Sequence, residues 1–432
     1  MQGTSEETRF ILTDEQVRSF AAEFGTPLYM IDENHLRHTI REYKAAFEKA
    51  WPGGEITFAT KANSTLAVVR IAHEEGCLID VASEGELRAA LAAGVPANRC
   101  HLHGNNKKRH EIGFAAEQGV SQIVVDNFEE IEVIAEMGIT CELMIRLAPG
   151  VDPKTNAKIS TGQADTKFGF NVGDGSAEKA LLRALELNLN VVGIHCHVGS
   201  QLLDPGAQVS AGEILASFAR EMKEKHGFIT KIINVGGGLG IHYVGDDKPL
   251  SKEEYCAQLC APIKSALEGS GLDPVLVQEP GRSIIGESGV TVYEVGVVKT
   301  VPAKKIGTRT YVAVDGGLSD NPRPAMYGSP YTVLLTPQHP RDLGSMKTVT
   351  VSGKHCETDR LFPDIQMPES VKSGDFLQVL CTGAYNSSMA NNYNRYQRPA
   401  TAMLRSSGEA QLVQRPETWD EMFAREILPE DL

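Results

Sequence analysis

The chain has 432 residues, 23% of them charged and 41% apolar, with a formal net charge of −14. That length suits two domains with an ample core rather than one small domain. The acidic balance argues against a nucleic-acid binder or an anionic-membrane binder, whose surfaces need excess Lys and Arg, but it leaves room for a local basic pocket.

The eight cysteines (Cys77, Cys100, Cys141, Cys196, Cys256, Cys260, Cys356 and Cys381) include no C-x-x-C pair, so zinc-ribbon and thioredoxin-like readings have little support and no metal is expected. The N-terminus has no basic stretch followed by an apolar one, and no apolar run is long enough to span a bilayer. A reducing cytoplasm with free thiols is the expectation.

In chain order, TPLYMIDENHL (26–36) holds a strand placed to pair with a later sheet. From about 55 to 281, short apolar strands alternate with amphipathic helical stretches. The strands read as EITFAT (55–60), CLIDVA (77–82), CHLHG (100–104), QIVVD (122–126), ELMIRL (142–147), VVGIHCHVG (191–199), KIINVGG (231–237) and PVLVQE (275–279). Eight β/α repeats predict an α/β fold built on a (β/α)8 TIM barrel, ahead of a doubly wound open sheet. Residues 149–175 form a long polar, Gly-rich crossover, which a barrel would place on its catalytic face. After 281 the segments GVTVYEVGVVKTV, RTYVAVDGG, KTVTVSG and DFLQVLCTG predict a mainly β domain. The expected division is a barrel over 35–285 and a β-rich domain from 1–34 and 286–432.

Catalytic groups of a barrel cluster at the C-terminal ends of its strands. Strand one ends at Lys61, where partial desolvation would favour the free amine as a nucleophile for a carbonyl. A solvated rim lysine is the bland alternative. Strand six carries His195, His197 and Ser200, and a period of two would turn both histidines to one side. A metal pair lacks evident further ligands. That leaves an imidazole stacked on an aromatic cofactor, assigned to His197, and a hydrogen-bonded core histidine, assigned to His195. Strand seven runs into Gly236, Gly237, Gly238 and Gly240, whose backbone N–H groups can surround a phosphate. Strand eight ends in Glu279-Pro280-Gly281-Arg282. There the acid can pair with a protonated ring nitrogen and the guanidinium can grip phosphate or carboxylate. Together these groups fit pyridoxal phosphate.

With those residues in place, the sequence resembles the alanine-racemase-like (fold-type III) decarboxylases that use pyridoxal 5'-phosphate, and within them the diaminopimelate decarboxylases. The resemblance runs from about Pro27 to Ala402. It rests on FATKAN, HGNNK, ISTG…KFGF, HCHVGSQ, VGGGLG, EPGR, RPAMYG, CET and GAYNSSMANNYN in that order. It implies that Lys61 carries the cofactor covalently and that His197 stacks on its ring. Glu279 would keep the ring nitrogen protonated. Ser200, Gly237, Gly238, Gly281, Arg282 and Tyr385 would bind the rest of the cofactor. Cys356 would return a proton to the α-carbon after carbon dioxide leaves. The resemblance also implies a homodimer whose active sites are shared, with the Cys356 loop coming from the second subunit.

For the substrate, the resemblance places Glu357 near a distal ammonium and Arg282, Arg323, Tyr327 and Tyr385 near the substrate and its distal carboxylate. That favours meso-diaminopimelate, giving L-lysine in the last step of lysine biosynthesis. Ornithine lacks the second carboxylate, and a buried arginine without that partner would be costly. The competing readings are a decarboxylase of ornithine, arginine or carboxynorspermidine, and a racemase on the same cofactor. Two loops depart from the family pattern. The Ser-Gly-Asp turn expected after Cys-Glu is replaced by a longer Thr358–Asp364 segment, and VDPKTNAKISTG lacks a histidine often found there.

Overall fold

The structure is a computed structural model and describes residues 9–151, 163, 165–305, 307–358 and 360–432. The ISTG motif and most of the VDPKTNAKISTG loop lie outside those residues. The chain forms two compact units. One comprises Arg37–Ile241 and Asp247–Ile284; the other comprises the segment ending at Leu36, His242–Asp246 and Ile285–Leu432.

The first unit is the expected parallel barrel. Its eight strands are Glu55–Ala59, Leu78–Val81, Cys100–Leu102, Gln122–Val125, Glu142–Ala148, Val191–His195, Ile232–Asn234 and Val275–Gln278. Each pairs in parallel with the next, and strand eight returns to strand one through Val277↔Glu55 and Gln278↔Ile56. Strands buried on both faces read as continuous apolar runs, and Leu78–Val81, Gln122–Val125 and Val191–His195 are buried throughout. Gly193 is required within strand six, because a Cβ there would lie 2.1 Å from the Ile232 carbonyl oxygen of strand seven.

The crossover helices start where the sequence supplies caps. The Ser83 side chain accepts from Glu86 N–H ahead of Glu84–Ala92, and Asn127 accepts from Glu130 N–H ahead of Phe128–Glu136. Ser251 and Glu254 form a reciprocal capping box on Lys252–Leu267. The Ser83 and Asn127 caps start their helices within two residues of a strand end, at Val81 and Val125, whereas Ser251 follows strand seven only after a longer loop.

The second unit is mainly β. Its long strand Gly289–Ala303 pairs antiparallel with Gly307–Val314 and with Phe376–Leu380. The N-terminal strand Leu28–Asp32 is taken into this sheet as expected. It lies antiparallel to Gly289–Ala303 and parallel to Ala400–Leu404.

Under this sheet Asp320 is buried. Its carboxylate accepts from Gly317 N–H at 2.8 Å and from the Tyr293 hydroxyl. Burial pushes its pKa up to about 7, against the lowering effect of those hydrogen bonds. A carboxyl raised on folding contributes stability that is fully present at low pH and is lost as pH climbs from about 4 towards 7. Asp320→Asn, which keeps an acceptor and carries no charge, is therefore expected to gain melting temperature over the parent protein by more at pH 7 than at pH 4.5. Equal pH dependence in the variant and the parent protein would contradict this.

Candidate active site

The barrel unit gathers its polar rim around Glu279, the first residue past strand eight, which is only 5% exposed. His195 Nε2 lies 3.1 Å from Glu279 Oε2. The Asn234 side-chain amide donates to Oε1 at 2.7 Å. His103 Nε2 is 3.2 Å from Oε1 and 3.6 Å from Asp80 Oδ1. All of these groups are buried.

Two carboxyls in one buried cluster are driven apart in proton affinity. Burial raises Asp80, and the neighbouring Glu279 charge raises it further. Burial also opposes the Glu279 charge, but His103, His195 and Lys61 outweigh it and hold Glu279 well below the usual carboxylate range. Burial lowers both His103 and His195. The cluster thus pushes the two acids apart, Asp80 towards its neutral form and Glu279 towards its ionised form, the arrangement that separates two acids into different roles.

The glycine run follows Asn234. Gly236 N–H donates to Asn234 Oδ1 at 2.9 Å, and Gly237 N–H donates to His197 Nδ1 at 3.3 Å. Cβ atoms are excluded here. One on Gly237 would sit 2.1 Å from the Glu279 carbonyl oxygen, and one on Gly236 would sit 2.5 Å from that of Cys196. Gly237→Ala must therefore push the end of strand eight and move Glu279. We expect turnover to fall by on the order of 10²-fold, the scale of a 1 Å misplacement. Unchanged turnover and cofactor uptake, read by absorbance titration, would contradict that coupling. Nearby, Arg282 Nε and Nη2 each donate to Ser200 Oγ at 3.1 Å.

Two sequence expectations are corrected. Strand six stops at His195, so His197 lies beyond the ladder and the period-two argument does not place it. It is half-buried, and burial together with the Lys61 charge keeps its imidazole well below the ordinary value. Lys61 sits in a single turn, Thr60–Ala62, and its side chain is exposed rather than desolvated by its own chain. The further ligands that the His-x-His pair lacked in sequence come from other strands. His103, His195 and Glu279 bring donor atoms within 4.8 Å of one another, while His197 is not among them.

The remaining candidates belong to the β-rich unit. Arg323 opens the short helix Arg323–Tyr327, is buried, and donates from Nη1 to the Tyr243 hydroxyl at 3.1 Å and to the Tyr331 hydroxyl. The Tyr331 hydroxyl donates on to Asn386 Oδ1 at 3.3 Å. Among the described residues neither partner of Arg323 is a carboxylate. Tyr327 is half-buried at the other end of that helix. Cys356 and Glu357 are exposed. The Cys356 backbone N–H donates to Asn394 Oδ1 at 3.0 Å, and Glu357 accepts from the Tyr393 hydroxyl. Tyr385 is half-buried with a left-handed backbone, φ 63°. Sequence reasoning missed His103, Asp80 and Asn234 in the barrel, and Tyr243 and Tyr331 around Arg323. His103 stands in HGNNK and Asn234 directly before VGGG, which were the signals available.

A barrel with a rim lysine, a close-packed glycine turn beside Ser200 and Arg282, and a buried acid held towards its ionised form fits pyridoxal phosphate. It defines a class of enzyme that uses this cofactor on amino acids. Comparison with known proteins agrees. Residues 36–286 match the family described as pyridoxal-dependent decarboxylase, pyridoxal binding domain. The diaminopimelate decarboxylase of Bacillus subtilis is 43% identical over 416 residues, covering 94% of this chain and 92% of that protein. The crystal structure of the M. jannaschii diaminopimelate decarboxylase in complex with L-lysine superposes with a TM-score of 0.89 at 33% identity, covering 99% of this chain and 98% of that one. A lysine/ornithine decarboxylase from Vibrio vulnificus, complexed with putrescine, reaches 0.74 at 26% identity, covering 91% and 99%. The chain belongs to the pyridoxal-dependent decarboxylases, in the diaminopimelate decarboxylase family. Its cofactor is pyridoxal phosphate. Among the described residues no helix is long and apolar enough to cross a membrane.

Proposed function

We propose that the protein removes one carboxylate from meso-diaminopimelate as carbon dioxide and releases L-lysine. The observation that carries this choice is Arg323. It is a buried guanidinium whose partners are two phenol hydroxyls, and its charge is not matched by a carboxylate among the described residues. A substrate with a second carboxylate would supply the missing anion, whereas ornithine and lysine would not.

In this reading the barrel holds the cofactor. Lys61 would bind it covalently, His197 would cover its ring, and Glu279 would hold the proton on its ring nitrogen. Ser200, Gly237, Gly238, Gly281 and Arg282 would hold the phosphate, and Tyr385 would complete the cofactor site. When bound, the cofactor supplies an electron sink for the pair left behind as carbon dioxide departs. The chain's own residues do the rest. Arg323, Tyr327 and Arg282 bind the distal carboxylate, and Glu357 binds the distal ammonium. Cys356 delivers a proton to the α-carbon from its thiol, which must therefore start protonated.

The same proposal includes a homodimer with shared sites, in which the Cys356 loop serves the partner's barrel. The exposure of Cys356 and Glu357 supports this. It also includes a cytoplasmic location, which the eight free cysteines support. The direct test is to incubate the cofactor-loaded protein with meso-diaminopimelate and measure both products. One carbon dioxide per L-lysine is expected, and loss of substrate without carbon dioxide would point to a racemase instead.

A further inference from the structure

A buried acid can keep a proton on a basic partner only while the acid stays the weaker base of the two. Each hydrogen bond donated to its charged form lowers its affinity for that proton. Glu279 has two such donors from neighbouring strand ends, the His195 imidazole at 3.1 Å and the Asn234 amide at 2.7 Å. The His103 ring nitrogen is a third close group, 3.2 Å away. Asn234 is itself oriented, because its side-chain oxygen accepts from Gly236 N–H at 2.9 Å, which leaves its NH2 end facing Glu279. The reacting centre needs no part of His195 or Asn234. Both are buried and engage the carboxylate from strands six and seven.

We infer that His195 and Asn234 are positioning residues that hold Glu279 ionised and aimed, so that the proton shared with the cofactor stays on the ring nitrogen. This rests on the reading of Glu279 as the ring nitrogen's partner. Without the donors Glu279 becomes the stronger base and takes the proton, leaving a neutral ring and a weaker electron sink. A hydrogen bond to a charged group is worth enough to move that balance by about one to two pH units, roughly ten- to a hundredfold in the proton's partition. Asn234 also ties the acid to the glycine turn through one amide, since the same side chain holds Glu279 and Gly236 N–H.

The test uses the holoenzyme reconstituted with cofactor labelled with nitrogen-15 in the ring, because the resonance separates a protonated ring from a neutral one. The parent protein is expected to show a protonated ring at neutral pH, and Glu279→Gln a neutral one. His195→Leu and Asn234→Leu are expected to shift the signal towards the neutral form, whereas His195→Gln, which keeps an N–H donor, retains the protonated signal. A protonated ring in both leucine variants alongside a neutral ring in Glu279→Gln would overturn the inference and leave Glu279 standing. A protonated ring in Glu279→Gln would overturn the reading of Glu279 and this inference with it. If a leucine variant fails to take up cofactor, His195→Phe and Asn234→Ala carry the same comparison, since neither side chain has an N–H or O–H to donate.

Discussion

Replacing Lys61 with alanine is expected to bring carbon dioxide release to background, and mixing that variant with Cys356→Ala is expected to restore about a quarter of it. Lys61 supplies the only covalent hold on the cofactor in the proposed site, so its loss removes the nucleophile on which turnover depends. Cys356→Ala alone is expected to slow turnover by about 10²- to 10⁴-fold, the usual worth of a positioned proton donor. The recovery follows from a shared site. If the Cys356 loop serves the partner's barrel, a mixed dimer has one site with both lesions and one with neither. Random exchange of subunits makes about half the dimers mixed, each with one intact site of two. The readout is carbon dioxide release after the two variants are unfolded and refolded together. No recovery would mean that Lys61 and Cys356 act within one chain.

Arg323→Ala has the second large effect, and it is selective. Removing one partner of a buried, hydrogen-bonded charge pair costs about 2–5 kcal/mol, a fall of roughly 30- to 5,000-fold in kcat/KM for meso-diaminopimelate. Ornithine and lysine have no distal carboxylate to lose, so their weak turnover should not fall in step. Arg323→Lys is expected to recover only part of the loss. A lysine cannot present the planar fork and cannot reach Tyr243 and Tyr331 in the same geometry. Thermal melting of the variant controls for the two tyrosine hydroxyls left without their donor. An equal fall for every substrate would show that Arg323 supports the fold rather than the choice of substrate.

The barrel was legible because its strands are buried on both faces. Each appears in the sequence as a short apolar run bounded by turn residues, and QIVV and VVGIH need no pattern subtler than that. Glu279 and the glycines were legible for a related reason, since they stand where such runs stop. What could not be read was who faces whom. His103, Asn234 and Asp80 lie on strands or loops far apart in sequence and meet only because the barrel closes. Tyr243 reaches Arg323 across 80 residues of chain. His195 was rightly read as a hydrogen-bonded core histidine, but its partner proved to be the acid of the site itself. Lys61 shows the opposite limit. Its place in the chain suggested desolvation, yet a rim side chain is only as buried as its neighbours make it, and here it is exposed.

The central claim is a preference for a substrate with a second carboxylate. The most direct measurement is kcat/KM for carbon dioxide release by the cofactor-loaded protein with meso-diaminopimelate, L-ornithine, L-lysine and L-arginine side by side. A strong preference for meso-diaminopimelate is the predicted result. Preference for ornithine, lysine or arginine would contradict the role given to Arg323 while leaving the barrel and its cofactor in place.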